Sequence, residues 1–330
     1  MREVPDWTKA IVLAADDIAT DVRQIRLAPV AGFGPAAIGS HLDIEVPIGE
    51  LARTRSYSVV DDSDGGWTIA VRRLDDSRGG SRFMWSLAPG DTVRITPPRS
   101  HFDLSPGRPD YLLIAGGIGV TPLVGMARAL AKHPRARMLY AGRSRAHMPY
   151  LGPLAELLGE RLAVFSDAEG TRIDLPAAFA ALHPEGEAYV CGPAPLLAAC
   201  RAAWQQAGRL AALLRFETFG SGGMRDPEPF LVHVRDHAVS LQVPRDASLL
   251  DTLARAGIDV VQDCLRGECG LCAVDVIGAA DIDHRDVFLS DGQRAEGHRI
   301  CTCVSRAMGE ITIDTGFRPA LTRGQEAVAS

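Results

Sequence analysis

Residues 264–272, CLRGECGLC, carry three cysteines in the spacing C-x4-C-x2-C, at Cys264, Cys269 and Cys272. This spacing, followed by a distant fourth cysteine, is typical of the loop that holds a plant-type [2Fe–2S] cluster. The glycines at 267 and 270 let the backbone wrap closely and direct amides at the sulfurs. The stretch therefore predicts an iron–sulfur site near the C-terminus.

The fourth ligand has two candidates, Cys301 and Cys303, which flank Thr302 and face the same side if this segment is a strand. A zinc site is the alternative, but zinc favours paired C-x2-C knuckles and the second pair here is C-x-C. Seven cysteines, an odd number with no export signal in front of them, are a poor basis for a disulfide framework.

Composition limits the classes of protein that the chain can represent. Its 330 residues predict two or three domains, and its net charge of −6 argues against a nucleic-acid partner. We see no apolar run long enough to span a bilayer and no signal peptide, so we expect no membrane contact and a cytoplasmic location.

The periodicity of hydrophobic residues divides the chain into three regions. Residues 1–106 hold short strand-like runs, Ser56–Val60 among them, separated by turn residues, which predicts an antiparallel β-barrel or sandwich. Residues 107–222 alternate apolar strands with helices, which predicts a doubly wound α/β domain with a parallel sheet. Its expected elements include a helix at 121–133 and a strand at 211–217. A linker at 223–228 leads to residues 229–320, a small sheet crossed by the helix SLLDTLARAG with Ser248 as its N-cap and Gly257 as its stop. A tail follows at 321–330.

Two segments of the first region suit a flavin. Arg55-Ser56-Tyr57-Ser58, which we place at the end of the central strand, offers a cation for a phosphate, a ring and polar edges. Arg78-Gly79-Gly80-Ser81 enters a short helix predicted over Phe83–Leu87, so it is a candidate phosphate cradle or a plain turn.

Two segments of the second region suit a nucleotide. AGGIGVTP (115–122) joins an apolar strand to a helix, and its glycines would let the backbone approach a pyrophosphate, although it is not the G-x-G-x-x-G fingerprint. Cys191-Gly192-Pro193 ends another strand, where ligands bind in such sheets; a structural role for Cys191 is the alternative.

Taken in order, R-x-Y-S, G-G-S, A-G-G-I-G-V-T-P, C-G-P and C-x4-C-x2-C resemble the phthalate dioxygenase reductase and vanillate demethylase reductase family, part of the ferredoxin–NADP reductase superfamily. The resemblance covers about residues 7–317 and includes Phe216–Gly220, Asp283–Asp286 and Cys303–Ala307. It implies a flavin β-barrel, an NAD domain and a β-grasp ferredoxin domain.

The resemblance also implies roles for single residues. The flavin, FMN in this branch and FAD in many relatives, would be held by Arg55, Ser56, Tyr57, Ser58, Arg72, Arg73, Gly79, Gly80 and Ser81. The nucleotide would face Gly116, Gly117, Gly119 and Thr121, with Cys191, Gly192 and Pro193 beside the nicotinamide and Phe219 near the flavin. The cluster ligands would be Cys264, Cys269, Cys272 and, because it precedes Val-Ser-Arg-Ala, Cys303.

Asp167 follows the third strand of the parallel sheet, where NADPH-using relatives place Ser-Arg. A carboxylate there repels a 2′-phosphate and can bind ribose hydroxyls, which favours NADH, although Arg143 and Arg145 on a neighbouring loop argue for NADPH.

The function implied is an NADH-dependent reductase that sends electrons through FMN and [2Fe–2S] to a Rieske non-haem iron oxygenase, as a monomer and without a catalytic acid or base of its own. Hydride transfer would be flanked by Tyr57, Cys191 and Phe219. The alternatives are a diaphorase or ferredoxin reductase serving a quinone or a cytochrome P-450, and a non-catalytic NAD- or metal-binding regulator.

Overall fold

The computed structural model describes residues 6–32, 34–48, 51–74, 79–219 and 225–316. The predicted tail 321–330, the start of the predicted linker and Arg78 lie outside these ranges. Contacts divide the chain into two units, Met1–Phe219 and Gly220–Ser330. Unit one holds two separate sheets, and the division predicted at residue 106 falls between them.

The first sheet of unit one is antiparallel, as predicted. Its elements are β1 (Thr8–Ala19), β2 (Val22–Pro29), β3 (Ser40–Ile48), β4 (Leu51–Ser58), β5 (Trp67–Arg72), α1 (Gly80–Ser86), β6 (Thr92–Ile95) and β7 (Arg99–Ser100). The strand order is β4-β3-β6-β1-β2-β5, with β7 beside β3. β4 and β5, at the two ends of this order, contact each other. The sheet therefore curls round one core, which includes Ile25, Ile44 and Ile69.

One boundary and one strand position in this sheet differ from expectation. β4 covers Leu51–Ser58 rather than 56–60, because Val59 and Val60 continue in other hydrogen bonds, Val59 N–H to the Ser40 carbonyl and Val60 N–H to the Thr68 carbonyl. β4 also stands at the end of the strand order with β3 as its hydrogen-bonded neighbour, so the prediction of a central strand was wrong.

The second sheet of unit one is parallel. Its elements are β8 (Tyr111–Gly116), α2 (Thr121–Ala129), β9 (Ala136–Gly142), α3 (Leu151–Leu158), β10 (Leu162–Ser166), α4 (Leu175–Ala180), β11 (Glu187–Cys191), α5 (Ala194–Gln206) and β12 (Leu214–Glu217). The order is β10-β9-β8-β11-β12, and every residue of β8 is buried, as a strand covered on both faces requires. The chain winds outward from β8 to β10 and then returns to β11, which places the topological switch point between β8 and β11.

Sequence reasoning missed α3 and α4 and extended α2 too far. α2 ends at Ala129 rather than at residue 133, since the residue before Pro134 is disfavoured in helical geometry and the last turn closes early. A 3-10 turn over Ala211–Leu213 replaces the start of the strand predicted at 211–217.

Unit two is a β-grasp. Its elements are β13 (Phe230–Val234), β14 (Val239–Val243), α6 (Leu249–Arg255), β15 (Ala273–Val276), β16 (Ile282–Asp283), α7 (Asp291–Glu296), β17 (Arg299–Cys301), β18 (Arg306–Ala307) and β19 (Glu310–Asp314). The main sheet has the order β14-β13-β19-β15-β17, in which the β13–β14 hairpin is antiparallel and β19 runs parallel to β13.

The helix predicted at 248–257 is confirmed in detail. The Ser248 hydroxyl accepts from the Asp251 N–H while the Asp251 carboxylate accepts from the Ser248 N–H, a capping box, and Gly257 follows with φ +75°. Helix α7, capped in the same way by Ser290 and Gln293, lies in a stretch that was interpreted as a loop.

Candidate electron-transfer sites

The two segments predicted to hold the flavin phosphate lie together in the structure. Arg55 is on β4, and Gly80 is the first residue of α1. A Cβ added to Gly80 would stand 3.2 Å from Arg55 Nε and 3.4 Å from its Cγ. The Arg55 side chain therefore lies directly against the Gly79–Gly80 turn, and this close approach explains the glycine at 80.

A buried carboxylate fixes the neighbouring residue of β4. The Ser56 hydroxyl donates to Asp43 Oδ1 at 2.6 Å, and Arg99 Nη2 donates to Asp43 Oδ2 at 2.5 Å. Asp43 itself is 6% exposed, and its N–H donates to the Thr96 hydroxyl. Sequence reasoning missed Asp43, which lies opposite Ser56 in the β3–β4 register.

Tyr57 and Ser58 end β4 in different environments. The Tyr57 ring packs against the core of the first sheet, and burial raises the pKa of its phenol, which keeps the hydroxyl neutral. Ser58 is 4% exposed, and its hydroxyl has no hydrogen-bond partner among the residues that the structure describes. A buried hydroxyl without a partner is uncommon and marks a place where a polar ligand atom would be favoured.

Of the two adjacent arginines proposed to line the flavin, Arg73 has partners within the protein. Its guanidinium lies 4.9 Å from the centroid of the Trp85 ring, and Arg23 lies 4.6 Å from the same ring. Arg73 also approaches Asp21 at 3.6 Å. Arg72, half-buried at the end of β5, has no such partners recorded in the described chain and is the freer of the two.

The nucleotide segments meet at the switch point of the parallel sheet. The 3-10 turn Gly117–Val120 follows β8, and Cys191-Gly192-Pro193 follows β11, the strand paired with β8. That turn also contacts β5 of the antiparallel sheet. The structure thus brings the predicted pyrophosphate turn, the predicted nicotinamide segment and a strand of the flavin sheet to one place in unit one.

Different physical causes explain why glycine occupies each of these positions in the turn. A Cβ on Gly116 would stand 2.6 Å from Pro193 Cδ, and one on Gly119 would stand 2.3 Å from the Cys191 carbonyl oxygen. Both glycines are therefore required by the packing of the two loops against each other. Gly117 differs, because the space beside it is open and its φ is +54°.

The side chains of two predicted contact residues are buried inside the protein. The Thr121 hydroxyl donates to the Ile118 carbonyl at 3.0 Å and is 2% exposed. Cys191 is fully buried in the core of the parallel sheet, so its side chain packs within the fold. Phe219 packs at the margin of the same core and stays partly exposed.

Asp167 is exposed immediately after β10, where the sequence placed it. The nearby Arg145, which argued for NADPH, forms a two-point ion pair with Glu169, with Nε–Oε1 at 2.7 Å and Nη2–Oε2 at 3.2 Å. The hydrogen bond from Arg145 holds the pKa of the Glu169 carboxyl below its usual value. Sequence reasoning missed Glu169, which neutralises this cation.

The cysteine loop wraps round one sulfur. Cys264 Sγ lies 3.5 Å from the N–H nitrogen of Arg266 and 3.4 Å from those of Glu268 and Cys269. Backbone amides directed at a sulfur stabilise its anionic form. This is the arrangement expected of a thiolate ligand, and burial of Cys264 at 7% exposure keeps water away from it.

Both candidates for the fourth ligand lie near Cys272, and they differ in burial. Cys303 Sγ lies 3.2 Å from Cys272 Sγ, and Cys303 keeps partial exposure. Cys301 is fully buried in the core of unit two, on β17 opposite Ala273. Hydrogen bonds from Cys301 and Cys303 lower the pKa of the Cys272 thiol, which favours a thiolate at this position.

Among the described residues, no three His, Cys, Asp or Glu side chains gather round one metal position. A [2Fe–2S] cluster spreads its ligands over two irons, two on each, and so does not require three at one point.

A segment after β16 supports the loop from outside. The Gly267 carbonyl accepts the N–H groups of Val287 and Phe288, at 2.9 and 3.2 Å. Asp286, 2% exposed, accepts from the Ser305 hydroxyl at 2.8 Å and from the Leu289 N–H at 3.0 Å. Through these bonds the segment after β16 supports both the cysteine loop and the segment after Cys303. The sequence did not reveal this role.

Known proteins share this arrangement. Residues 232–308 match the family model of the 2Fe-2S iron-sulfur cluster binding domain. The chain is 34% identical to the toluene-4-sulfonate monooxygenase system reductase subunit of Comamonas testosteroni, over 93% of the chain and 97% of that relative. It is 31% identical to phthalate dioxygenase reductase of Burkholderia cepacia, over 92% and 96%. The chain belongs to the phthalate dioxygenase reductase family.

The family assignment extends to the fold. A solved phthalate dioxygenase reductase, described as a modular structure for electron transfer from pyridine nucleotides to [2Fe-2S], matches with a TM-score of 0.76 at 29% identity, over 94% of this chain and 98% of that one. Like other members of the phthalate dioxygenase reductase family, the chain is an oxidoreductase of the oxygenase-reductase type with a 2Fe-2S domain. No helix in the described ranges is long and apolar enough to cross a membrane.

Proposed function

We propose that this chain is the NADH-dependent reductase component of a two-component Rieske-type oxygenase, and that it carries electrons from NADH through FMN and a [2Fe–2S] cluster. The approach of Cys303 to Cys272, 3.2 Å between sulfurs, is the observation that carries the proposal. In this proposal Cys303 joins Cys264, Cys269 and Cys272 as a four-thiol donor set, in a chain that also holds a parallel sheet with a glycine turn at its switch point.

Bound FMN would supply two-electron acceptance of a hydride, and a bound cluster would supply one-electron transfer to the acceptor. The residues supply position rather than acid or base chemistry. Tyr57 presents a neutral ring, and Phe219 presents a second ring at the margin of the parallel core. The Cys191 side chain is buried, so the strand end after it would contribute main chain beside the nicotinamide, together with Gly192 and Pro193.

NADH is favoured over NADPH by charge. The exposed Asp167 would repel a 2′-phosphate and accept hydrogen bonds from ribose hydroxyls. Arg145, the neighbouring cation best placed to attract that phosphate, is held by Glu169. The exposed Asp167 carboxylate and the pairing of Arg145 with Glu169 both favour NADH over NADPH.

FMN is favoured by the small phosphate site. Arg55 lies against the Gly79–Gly80 turn, and these groups together offer a guanidinium and main-chain amides to one phosphate. The Ser81 hydroxyl, which accepts from the Leu74 N–H at 3.3 Å, borders the same turn. This donor set fits the terminal phosphate of FMN.

The acceptor we propose is a Rieske non-haem iron oxygenase, as the relatives' oxygenase systems suggest. We further propose that the reductase acts as a monomer in the cytoplasm, where the reducing environment preserves the free thiols recorded at all seven cysteines.

Anaerobic purification followed by visible spectroscopy tests the proposal. We expect flavin bands, a broad shoulder beyond about 500 nm from the cluster, and bleaching of both by NADH. Acid extraction should release FMN in about a one-to-one ratio with the chain, and NADH should be preferred over NADPH in kcat/KM.

Reconstitution with candidate oxygenases then identifies the acceptor class. Substrate turnover that depends on a Rieske oxygenase supports the proposal, whereas efficient turnover with only a quinone or a cytochrome P-450 supports the diaphorase alternative. A chain that binds zinc but no flavin would instead be a regulator.

A further inference from the structure

A buried tyrosine reaches the glycine turn at the switch point from inside the core. Tyr140 lies on β9 opposite Ala115 of β8, two residues before Gly117, and its side chain is fully buried. Its hydroxyl lies 3.2 Å from the Gly117 carbonyl oxygen and 3.0 Å from the Pro149 carbonyl oxygen. Burial raises the pKa of the Tyr140 phenol, so the hydroxyl keeps its proton and the two carbonyls share one buried donor.

This donor sets the orientation of the peptide between Gly117 and Ile118. In a trans peptide the carbonyl and the following N–H point in opposite directions. Since the Gly117 carbonyl faces the buried Tyr140 hydroxyl, the Ile118 N–H points away from the core, and Gly117 and Ile118 are both partly exposed. A main-chain N–H directed outward at this place in a parallel sheet is a donor of the kind that a pyrophosphate requires.

The glycine at position 117 does not fix this orientation by itself. Its φ is +54°, and nothing stands within 4 Å of the place that a Cβ would occupy. Because glycine adopts positive and negative φ about equally well, the peptide that follows could turn its carbonyl outward at little local cost. An outward carbonyl oxygen would repel a phosphate, so a group outside the turn has to select the inward orientation.

The second carbonyl beside Tyr140 belongs to a segment that is fixed to the antiparallel sheet. Tyr150, which follows Pro149, has a φ of +62°, a value that is rare for a residue with a side chain. Its hydroxyl donates to Gln24 Oε1 on β2 at 3.0 Å. The Pro149 carbonyl is thereby held from outside the parallel sheet, and it keeps the Tyr140 hydroxyl within reach of Gly117.

We infer that Tyr140 is a positioning residue for the nucleotide, whose hydroxyl turns the Ile118 N–H toward the pyrophosphate of NADH. The inference deepens the proposed function and rests on it. Because its side chain is fully buried, Tyr140 has no surface to offer the nucleotide and acts only through the peptide that follows Gly117.

Binding of NAD⁺ to the full chain, loaded with flavin and cluster, tests the inference, because the oxidised nucleotide measures affinity without turnover. The test variant is Tyr140→Phe, which keeps the buried ring and removes only the hydroxyl. Tyr111→Phe is the matched control on the same sheet. Tyr111 is 2% exposed, and its hydroxyl also donates to a main-chain carbonyl, that of Ser105 at 2.7 Å. It is the first residue of β8 and so lies at the opposite edge of the sheet from the switch point.

We expect Tyr140→Phe to raise the Kd for NAD⁺, measured by calorimetry, and the KM for NADH about tenfold, as loss of one hydrogen bond to a charged group implies. The rate of flavin bleaching at saturating NADH should stay within about twofold of the wild type, because the lost contact contributes to binding rather than to hydride transfer. Tyr111→Phe should bind NAD⁺ as the wild type does.

An unchanged Kd in Tyr140→Phe overturns the inference. An equal rise of Kd in Tyr111→Phe also overturns it, because loss of any buried hydroxyl of the sheet would then have the same effect. Failure of NADH to bleach the flavin of the wild-type chain would instead refute the proposed function.

Discussion

The sulfur atoms of Cys272 and Cys303 lie 3.2 Å apart although 31 positions separate the two residues in the chain. Their approach depends on the pairing of β15, which follows Cys272, with β17, which precedes Cys303. The pairing puts Ala273 opposite Cys301 and so directs Cys301 into the core and leaves Cys303 at the loop. The register of the sheet therefore sets the different burial of the two cysteines, and we propose Cys303 as the fourth ligand.

The two cysteines should respond differently to replacement. Cys303→Ser should abolish the cluster, since serine is a poor substitute for a thiolate at this iron. Cys301→Ser should keep the cluster and lose only some stability, because a hydroxyl replaces a buried thiol. Iron content and absorption beyond about 500 nm after anaerobic reconstitution measure both. Equal loss of iron in the two variants would contradict the assignment of Cys303.

The support of the cysteine loop should be measurable as cluster retention. Asp286→Ala removes the acceptor of the Ser305 hydroxyl and the Leu289 N–H and should destabilise unit two by about 2–3 kcal/mol. We expect faster release of iron to a chelator than in the wild type, with flavin content unchanged. Asp291→Ala, at the first exposed turn of α7, is the control. Identical release rates in both variants would exclude the proposed support.

Arg55 should account for flavin retention. Arg55→Gln removes the guanidinium beside the Gly79–Gly80 turn and should weaken flavin binding at least about tenfold, the value of one charge-assisted contact. Arg53→Gln, two residues earlier on β4, is the matched control. The Kd for FMN follows from recovery of flavin fluorescence on dilution. A similar loss in both variants would show a general effect of charge on the strand.

Substitution of Gly119 or Gly117 at the switch point should destabilise the protein for different reasons. Gly119→Ala places a Cβ 2.3 Å from the Cys191 carbonyl oxygen and should cost about 1–3 kcal/mol through overpacking of two loops. Gly117→Ala meets open space and should cost only about 1 kcal/mol from its positive φ. Thermal unfolding of both variants, with KM for NADH, separates the effects. A larger loss for Gly117→Ala would contradict the steric explanation.

Preference for NADH should weaken when the charges near β10 are altered. Asp167→Ser with Glu169→Gln removes a repulsive carboxylate and releases Arg145, so kcat/KM for NADPH should rise about tenfold. Adding Arg145→Ala should remove most of this gain. Steady-state kinetics with both nucleotides measures the ratio. A gain that survives loss of Arg145 would mean that another cation, such as Arg143, meets the phosphate.

Local patterns predicted a large part of this fold. The helix of unit two was identified from Ser248 and Gly257, because capping depends on residues a few positions apart. Strand β8 was identified from a continuous apolar run between turn residues. Short elements such as α4 and α7 were missed, since one or two turns give too little periodicity to stand out.

Contacts between segments that are distant in the chain were harder to predict from the sequence. Asp43 reaches Ser56 only because β3 and β4 pair in one register, and Glu169 neutralises Arg145 only because two loops meet at the end of the parallel sheet. Arg73 was grouped with Arg72 by sequence, which did not show that its guanidinium would contact Trp85 and Asp21. The residues adjacent to these positions in the chain do not predict their partners.

By itself, the sequence determined the order of the sheets, the iron–sulfur loop and the family, because ligand spacing, caps and hydrophobic period are short-range properties of the chain. Only the tertiary structure showed that Cys303 Sγ lies 3.2 Å from Cys272 Sγ, that Gly116 and Gly119 serve packing, and that Leu265 has a positive φ. These outcomes depend on which strands pair and in which register, and pairing is settled by the burial of whole faces rather than by adjacent residues.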